Sequence, residues 1–223
     1  MRKFTQSLAL AALLLSTSAY AQNVAPAATV AAKTAPVPWL YEGSDVPVDD
    51  TWTFGVLPNG LRYAVKKNDV PAGQVSIRVR IDAGALHENN DEQGFAHLIE
   101  HLSFRGSTFV PDGEAKRIWQ RFGVTFGSDS NAQTTPTQTV YKLDLPNATP
   151  EKLDESVKII SGMIRNPRIS PTALNAERAI VLAELRENSG AQMLYSDALR
   201  QHAFQGQRLA NRSTIGTPET LQA

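Results

Sequence analysis

Two stretches, QVSIRVRIDA (Gln74–Ala83) and GFAHLIEHLSF (Gly94–Phe104), decide the fold class of this 223-residue chain. In the first, Val75, Ile77, Val79 and Ile81 alternate with Ser76, Arg78, Arg80 and Asp82. A period of two means a strand with one buried face. The second reads as a helix, with Leu98, Ile99 and Leu102 expected to anchor it in the core. A half-buried strand leading to a helix belongs to a domain of packed sheet and helices.

Outward from there, Thr51–Leu57 and Leu61–Lys67 flank Pro58-Asn59-Gly60, and Asn-Gly between two such runs predicts a hairpin. Gly113–Phe122 reads as a helix with Ile118, Trp119 and Phe122 on its apolar side. Gly123–Ser128 and Thr137–Leu145 read as a strand pair joined through the polar segment 129–136. Thr149-Pro150-Glu151 is an N-cap followed by proline at the first helical position, opening a helix to Ile164 with Leu153, Val157, Ile160 and Met163 on one stripe. Ser170-Pro171 opens another through Asn188, closed by Gly190. The fold class is α+β, a mostly antiparallel sheet flanked by helices. There is no internal repeat.

Arg2 and Lys3 precede the apolar run Leu8–Leu15, and Ala19-Tyr20-Ala21 fits the small-x-small cleavage rule. Residues 1–21 are therefore expected to be a signal peptide, and a periplasmic or secreted location follows. Residues 22–48, rich in Ala, Val, Thr and Pro, read as a spacer before a domain at 49–223. Beyond the leader no stretch of about twenty apolar residues exists, so the mature chain should carry no membrane span. Removing Arg2 and Lys3 leaves 20 basic against 22 acidic residues, a net charge of −2. That balance offers no basic field for nucleic acid. The absence of cysteine excludes disulfide scaffolds, Cys-ligated zinc, iron–sulfur clusters, Cys nucleophiles and a lipoprotein anchor.

The chemistry concentrates in His97-Leu-Ile-Glu100-His101. On a helix, positions i, i+3 and i+4 share a face, so these three side chains project together. Two neutral imidazoles one turn apart suit a single zinc ion. The carboxylate beside them can take the proton of a metal-bound water as general base. A catalytic zinc wants a third protein ligand, and the helix after Pro171 offers Glu177, Glu184 and Glu187. Glu177 and Glu184 lie two turns apart on one face. From spacing alone that face is either a ligand face or a solvated acidic stripe paired with Arg178 and Arg186, and Glu187 reads as the latter. His87, in a loop, and His202, near a polar helix end, read as solvated and away from any metal.

The His97–His101 motif, Gly94-Phe-Ala before it, Leu102-Ser-Phe-Arg-Gly-Ser107 after it and Glu177-Arg-x-x-Val-Leu-x-Glu184 downstream resemble the pitrilysin/insulinase (inverzincin) metallopeptidases, bacterial periplasmic type. Asn131-Ala-Gln-Thr-Thr and Leu57-Pro-Asn-Gly-Leu-Arg-Tyr63 also look like family segments. The resemblance implies a mitochondrial-processing-peptidase-like metallohydrolase half-domain holding one Zn2+ per chain. By position it implies His97, His101 and Glu184 as ligands, Glu100 as catalytic base and Glu177 as an outer support. It also implies that Asn131 and Ala132 lie on the strand where an extended peptide substrate binds, a mode that recognises backbone and tolerates varied side chains. The implied activity is hydrolysis of peptides or small proteins. The alternative is a non-catalytic peptide-binding subunit on the same fold, from which the His/Glu set is typically lost. A structural zinc domain fits less well, because closed sites usually have four protein ligands, often including Cys.

Two features depart from the family pattern. His101 and Glu184 are 83 residues apart, a long spacing that is attributed to loops around 126–136. The chain also stops at Ala223 where family members continue, so the domain is expected to be incomplete at its C-terminus. Its partner in the clamshell would be a second homologous half, on the same longer chain or on another subunit.

Overall fold

The computed structural model describes residues 38–39 and 41–223. The expected signal peptide, 1–21, and the spacer through residue 37 lie outside the described residues. Contacts divide the chain into two units meeting between Lys67 and Asn68.

In the first unit, β1 (Trp52–Val56) pairs antiparallel with β2 (Arg62–Lys66), Trp52 opposite Lys66 and Val56 opposite Arg62. The turn at Asn59-Gly60 closes the expected hairpin, with Gly60 at φ 88°, a backbone region that glycine enters without strain. Trp39 and Tyr41, at the end of the segment read as a spacer, pack on Phe54 with ring centroids 5.0 and 5.1 Å away.

The second unit carries a three-stranded antiparallel sheet in the order β3 (Val75–Ile81), β5 (Thr139–Leu145), β4 (Ser130–Thr134). The helices are α1 (Phe95–Ser103), α2 (Glu114–Arg121), α3 (Pro150–Arg165), α4 (Pro171–Glu187), α5 (Ala191–Ala203) and α6 (Pro218–Gln222). As expected, α3 and α4 begin at side-chain caps. Thr149 accepts from the Lys152 N–H at 3.3 Å and Ser170 from the Ala173 N–H at 3.1 Å, each followed by proline. Two apolar clusters hold the unit together. One joins Tyr141, Leu143 and Leu145 of β5 to Trp119 of α2 and to Ile159, Ile160 and Met163 of α3. The other joins Leu98 and Leu102 of α1 to Ala173 and Val181 of α4 and Leu221 of α6. Leu143 is 1% exposed, so Leu143→Ala should lower stability by about 2–5 kcal/mol through lost burial and the cavity left behind. A shift in the urea midpoint at unchanged slope measures it.

Four expectations need correction. Gly123–Ser128 is not a strand, because Gly123 and Gly127 take φ of 91° and 94° and break the extended run. The polar segment beyond them forms β4 instead. As an edge strand it keeps Asn131 and Gln133 exposed, so it needs apolar character on one side only. Val157 is 50% exposed while Ser156, one position round the helix, is buried. Ile99 is also exposed, leaving Leu98 and Leu102 to anchor α1. The helix α5 has no fully buried residue; Met193, Asp197 and Arg200 are half-buried along one face.

Candidate metal centre

The site lies between α1 and α4. The N-terminus of α1 is fixed from outside the helix. The Glu88 carboxylate, buried, accepts from the N–H groups of Gly94 (3.0 Å) and Ala96 (2.7 Å), taking up donors that the first turn leaves free. Gly94 itself sits at φ 92°, and a Cβ there would lie 2.7 Å from the Ile215 carbonyl oxygen. A side chain is thus excluded by both conformation and contact. Leu98 and Leu102 then press α1 against Val181 of α4, which is fully buried. Glu177, Val181 and Glu184 follow one stripe of α4 at i, i+4 and i+7, so the packing that buries Val181 turns both carboxylates toward α1.

His97, His101 and Glu184 converge, each offering one donor atom within 4.8 Å of the others. Glu184 Oε2 stands 3.8 Å from His97 Nε2 and 3.7 Å from His101 Nε2. Ligands at tetrahedral corners around a zinc ion, with bonds of about 2.0–2.2 Å, are roughly 3.4 Å apart. The carboxylate–imidazole separations exceed that by only a few tenths of an ångström, and two imidazoles with one carboxylate are a donor set that zinc accepts. The residues therefore fit the ion. Among the described residues this is the one such group of three found. The two imidazole rings meet edge to face with centroids 4.7 Å apart. Burial, then the neighbouring His101, pushes His97 below the ordinary imidazole range, against the pull of Glu184 and Glu100. A neutral ring is the form that binds metal.

Glu100 lies on the same side of α1 and is 7% exposed. Its Oε2 accepts from the Thr134 hydroxyl of β4 at 2.5 Å, and its carboxylate borders a cleft of ≈ 600 Å³ shared with His97 and Glu184. Glu177 does not join the ligand group. Its Oε2 lies 3.1 Å from His101 Nδ1, and its Oε1 accepts from Arg105 Nε at 2.5 Å. A carboxylate accepts, so in a neutral His101 ring this contact selects the tautomer with its proton on Nδ1 and Nε2 turned toward Glu184. His97 has no such support: its Nδ1 is buried without a hydrogen-bond partner among the described residues.

Ala132, Gln133 and Thr134 of β4 line the cleft, whereas Asn131 does not. Asn131 instead turns onto its own strand, accepting from the Ala132 N–H at 2.9 Å and donating to the Gly127 carbonyl at 3.3 Å. The Asp129 carbonyl faces β5, accepting from the Asp144 N–H at 2.7 Å, while the Ser130 N–H turns away to the Thr125 carbonyl. Backbone groups alternate along a strand, so those of Ala132 and Thr134 face the open edge. Glu187, read above as part of a solvated stripe, lines the cleft, because α4 ends at its rim. His87 is exposed, with Nδ1 accepting from the Gly84 N–H at 3.1 Å. His202 is exposed on α5. Arg105, Thr134 and Glu88 were missed from sequence. The signal for Arg105 was its place four residues after His101, and for Thr134 its alternation with Ala132.

The model of one family, Insulinase (Peptidase family M16), matches residues 63–217. The probable zinc protease PqqL of Haemophilus influenzae is 32% identical over 183 residues, 82% of this chain and 20% of that protein. The crystal structure of the periplasmic protease PqqL from Escherichia coli aligns with TM-score 0.75 at 31% identity, covering 79% of this chain and 19% of that one. The structure described as the first half of the same protease aligns with TM-score 0.76 at 30% identity, covering 80% of this chain and 38% of that one. This chain thus spans about a fifth of the length of the curated relative.

Proposed function

The chain belongs to the insulinase family of peptidases, family M16, and from that premise we propose that it is the zinc-carrying part of a periplasmic or secreted endopeptidase that hydrolyses extended peptides. The observation that carries this reading is the convergence of His97, His101 and Glu184 from two helices beside the buried Glu100, all but His101 bordering one cleft. His97, His101 and Glu184 would hold the ion. Zinc, when bound, lowers the pKa of a coordinated water and polarises the scissile carbonyl.

The remaining roles fall to the chain's own groups. Thr134 occupies Glu100 Oε2, which leaves Oε1 as the atom that takes the proton from the attacking water and passes it to the leaving amine. The open edge of β4 offers the backbone of Ala132 and Thr134 to an extended substrate, which would displace Asn131 Oδ1 from the Ala132 N–H. A substrate held by its backbone lies across the cleft with a peptide bond beside Glu100. A second homologous half would close the far side of the cleft. The name of the relative described as a first half supports that partner, and the leader-like residues 1–21, with the periplasmic relatives, support the location. Among the described residues no helix is long and apolar enough to cross a membrane.

Elemental mass spectrometry of the purified chain tests the reading, with about one zinc per chain expected. Well-folded protein that takes up none would sink it in favour of a peptide-binding module on the same fold.

A further inference from the structure

We propose that Arg105 is a positioning residue of the metal centre: by holding one oxygen of Glu177 it frees the other to fix His101 with its proton on Nδ1 and Nε2 directed to the metal. This rests on the zinc reading above. Glu177 is 9% exposed at its side chain, and a carboxylate so far from water needs a cation or donors to stay ionised and in place. Two groups supply this from α1 and the turn beyond it. Arg105 Nε lies 2.5 Å from Oε1 and His101 Nδ1 lies 3.1 Å from Oε2. The two oxygens are thus divided between two donors, and neither can be lost without releasing the other.

Arg105 is itself held in place. Its Nη1 lies 3.5 Å from Asp112 Oδ2, and its backbone carbonyl accepts from the Gly113 N–H at 3.2 Å, which ties the turn after α1 to the start of α2. The guanidinium, planar and always charged, suits such a fixed fork better than the flexible ammonium of lysine. The asymmetry within the site adds weight to the contact. His97 Nδ1 has no partner among the described residues, so outer support reaches the imidazole pair through Glu177 and Arg105 alone. Arg105 does not line the cleft and hydrogen-bonds Glu177, so the proposed effect passes through Glu177 to His101.

The test is zinc affinity of the full chain, measured with zinc alone against a chromophoric chelator, for wild type, Arg105→Gln, Glu177→Gln and the double variant. Loss of an outer partner of a ligating histidine typically costs 10–100-fold in metal affinity. Arg105→Gln should fall in that range, and the double variant should be no weaker than Glu177→Gln. Unchanged affinity, or two losses that multiply, overturns the proposal. A second measurement needs no variant: in the zinc-loaded wild type, imidazole 15N shifts should show His101 protonated at Nδ1 and metal-bound at Nε2, and the reverse assignment overturns it. Wild type that takes up no zinc refutes the zinc reading as well. Zinc uptake with an indifferent Arg105 refutes this inference alone.

Discussion

Glu100→Gln should leave zinc content at about one per chain and lower peptide hydrolysis by the full-length protein by a factor of about 10²–10⁴, the usual contribution of a positioned general base. The substitution is close to isosteric. The amide oxygen can still accept from the Thr134 hydroxyl, which lies 2.5 Å from Oε2 in the wild type, so the side chain has reason to stay where it is. His97, His101 and Glu184 keep their atoms. Only the ability to take a proton at neutral pH is lost, since an amide has no basic lone pair to offer. An internally quenched peptide library gives the rate, and metal analysis on the same samples gives the control. Undiminished turnover at full zinc content would remove Glu100 from the mechanism, whatever the metal does.

The second large effect is on the metal itself. His101→Ala should bring zinc close to zero per chain, while Glu184→Gln should weaken binding without abolishing it. His101 does two things: Nε2 stands 3.7 Å from Glu184 Oε2 in the ligand group, and Nδ1 occupies the buried Glu177. Its removal takes away a ligand and leaves a buried carboxylate oxygen without a donor. The Glu184 side chain is 40% exposed, so water can reach the position that it vacates, and the amide oxygen of glutamine is a weak ligand in its stead. Elemental mass spectrometry of the two variants beside wild type decides the matter. His101→Ala retaining one zinc per chain would place the metal elsewhere.

How far these residues were legible follows from the range over which each signal acts. His97, Glu100 and His101 fall within five consecutive positions, and helix periodicity alone brings them to one face. Glu184 lies 83 residues further on. Spacing left it open as ligand or solvated stripe, and only the family resemblance assigned it, because its approach to α1 is made by Leu98, Leu102 and Val181 across the core. Arg105 and Thr134 were missed for a related reason. An arginine after a helix end and a threonine in a polar run are compatible with many neighbours, and tertiary packing chooses among them. The displaced strand reflects edge chemistry. Pattern reading seeks apolar alternation, and β4, with Asn131 and Gln133 facing outward, shows too little of it.

The divided origin of the proposed ligand set would have a thermodynamic consequence. His97 and His101 belong to α1 and Glu184 to the last turns of α4, so an ion bound by all three is a clasp between segments far apart in the chain. Such an ion binds the folded state and finds no preformed site in the unfolded one, which makes its binding energy folding energy. At a free zinc level one hundred times the dissociation constant, this adds about 2.7 kcal/mol to stability, a sizeable share of the total for a domain of marginal stability. Zinc supply would then govern how long the molecule survives as well as whether it works, since a metal-free chain would open more often and would be the more exposed to degradation.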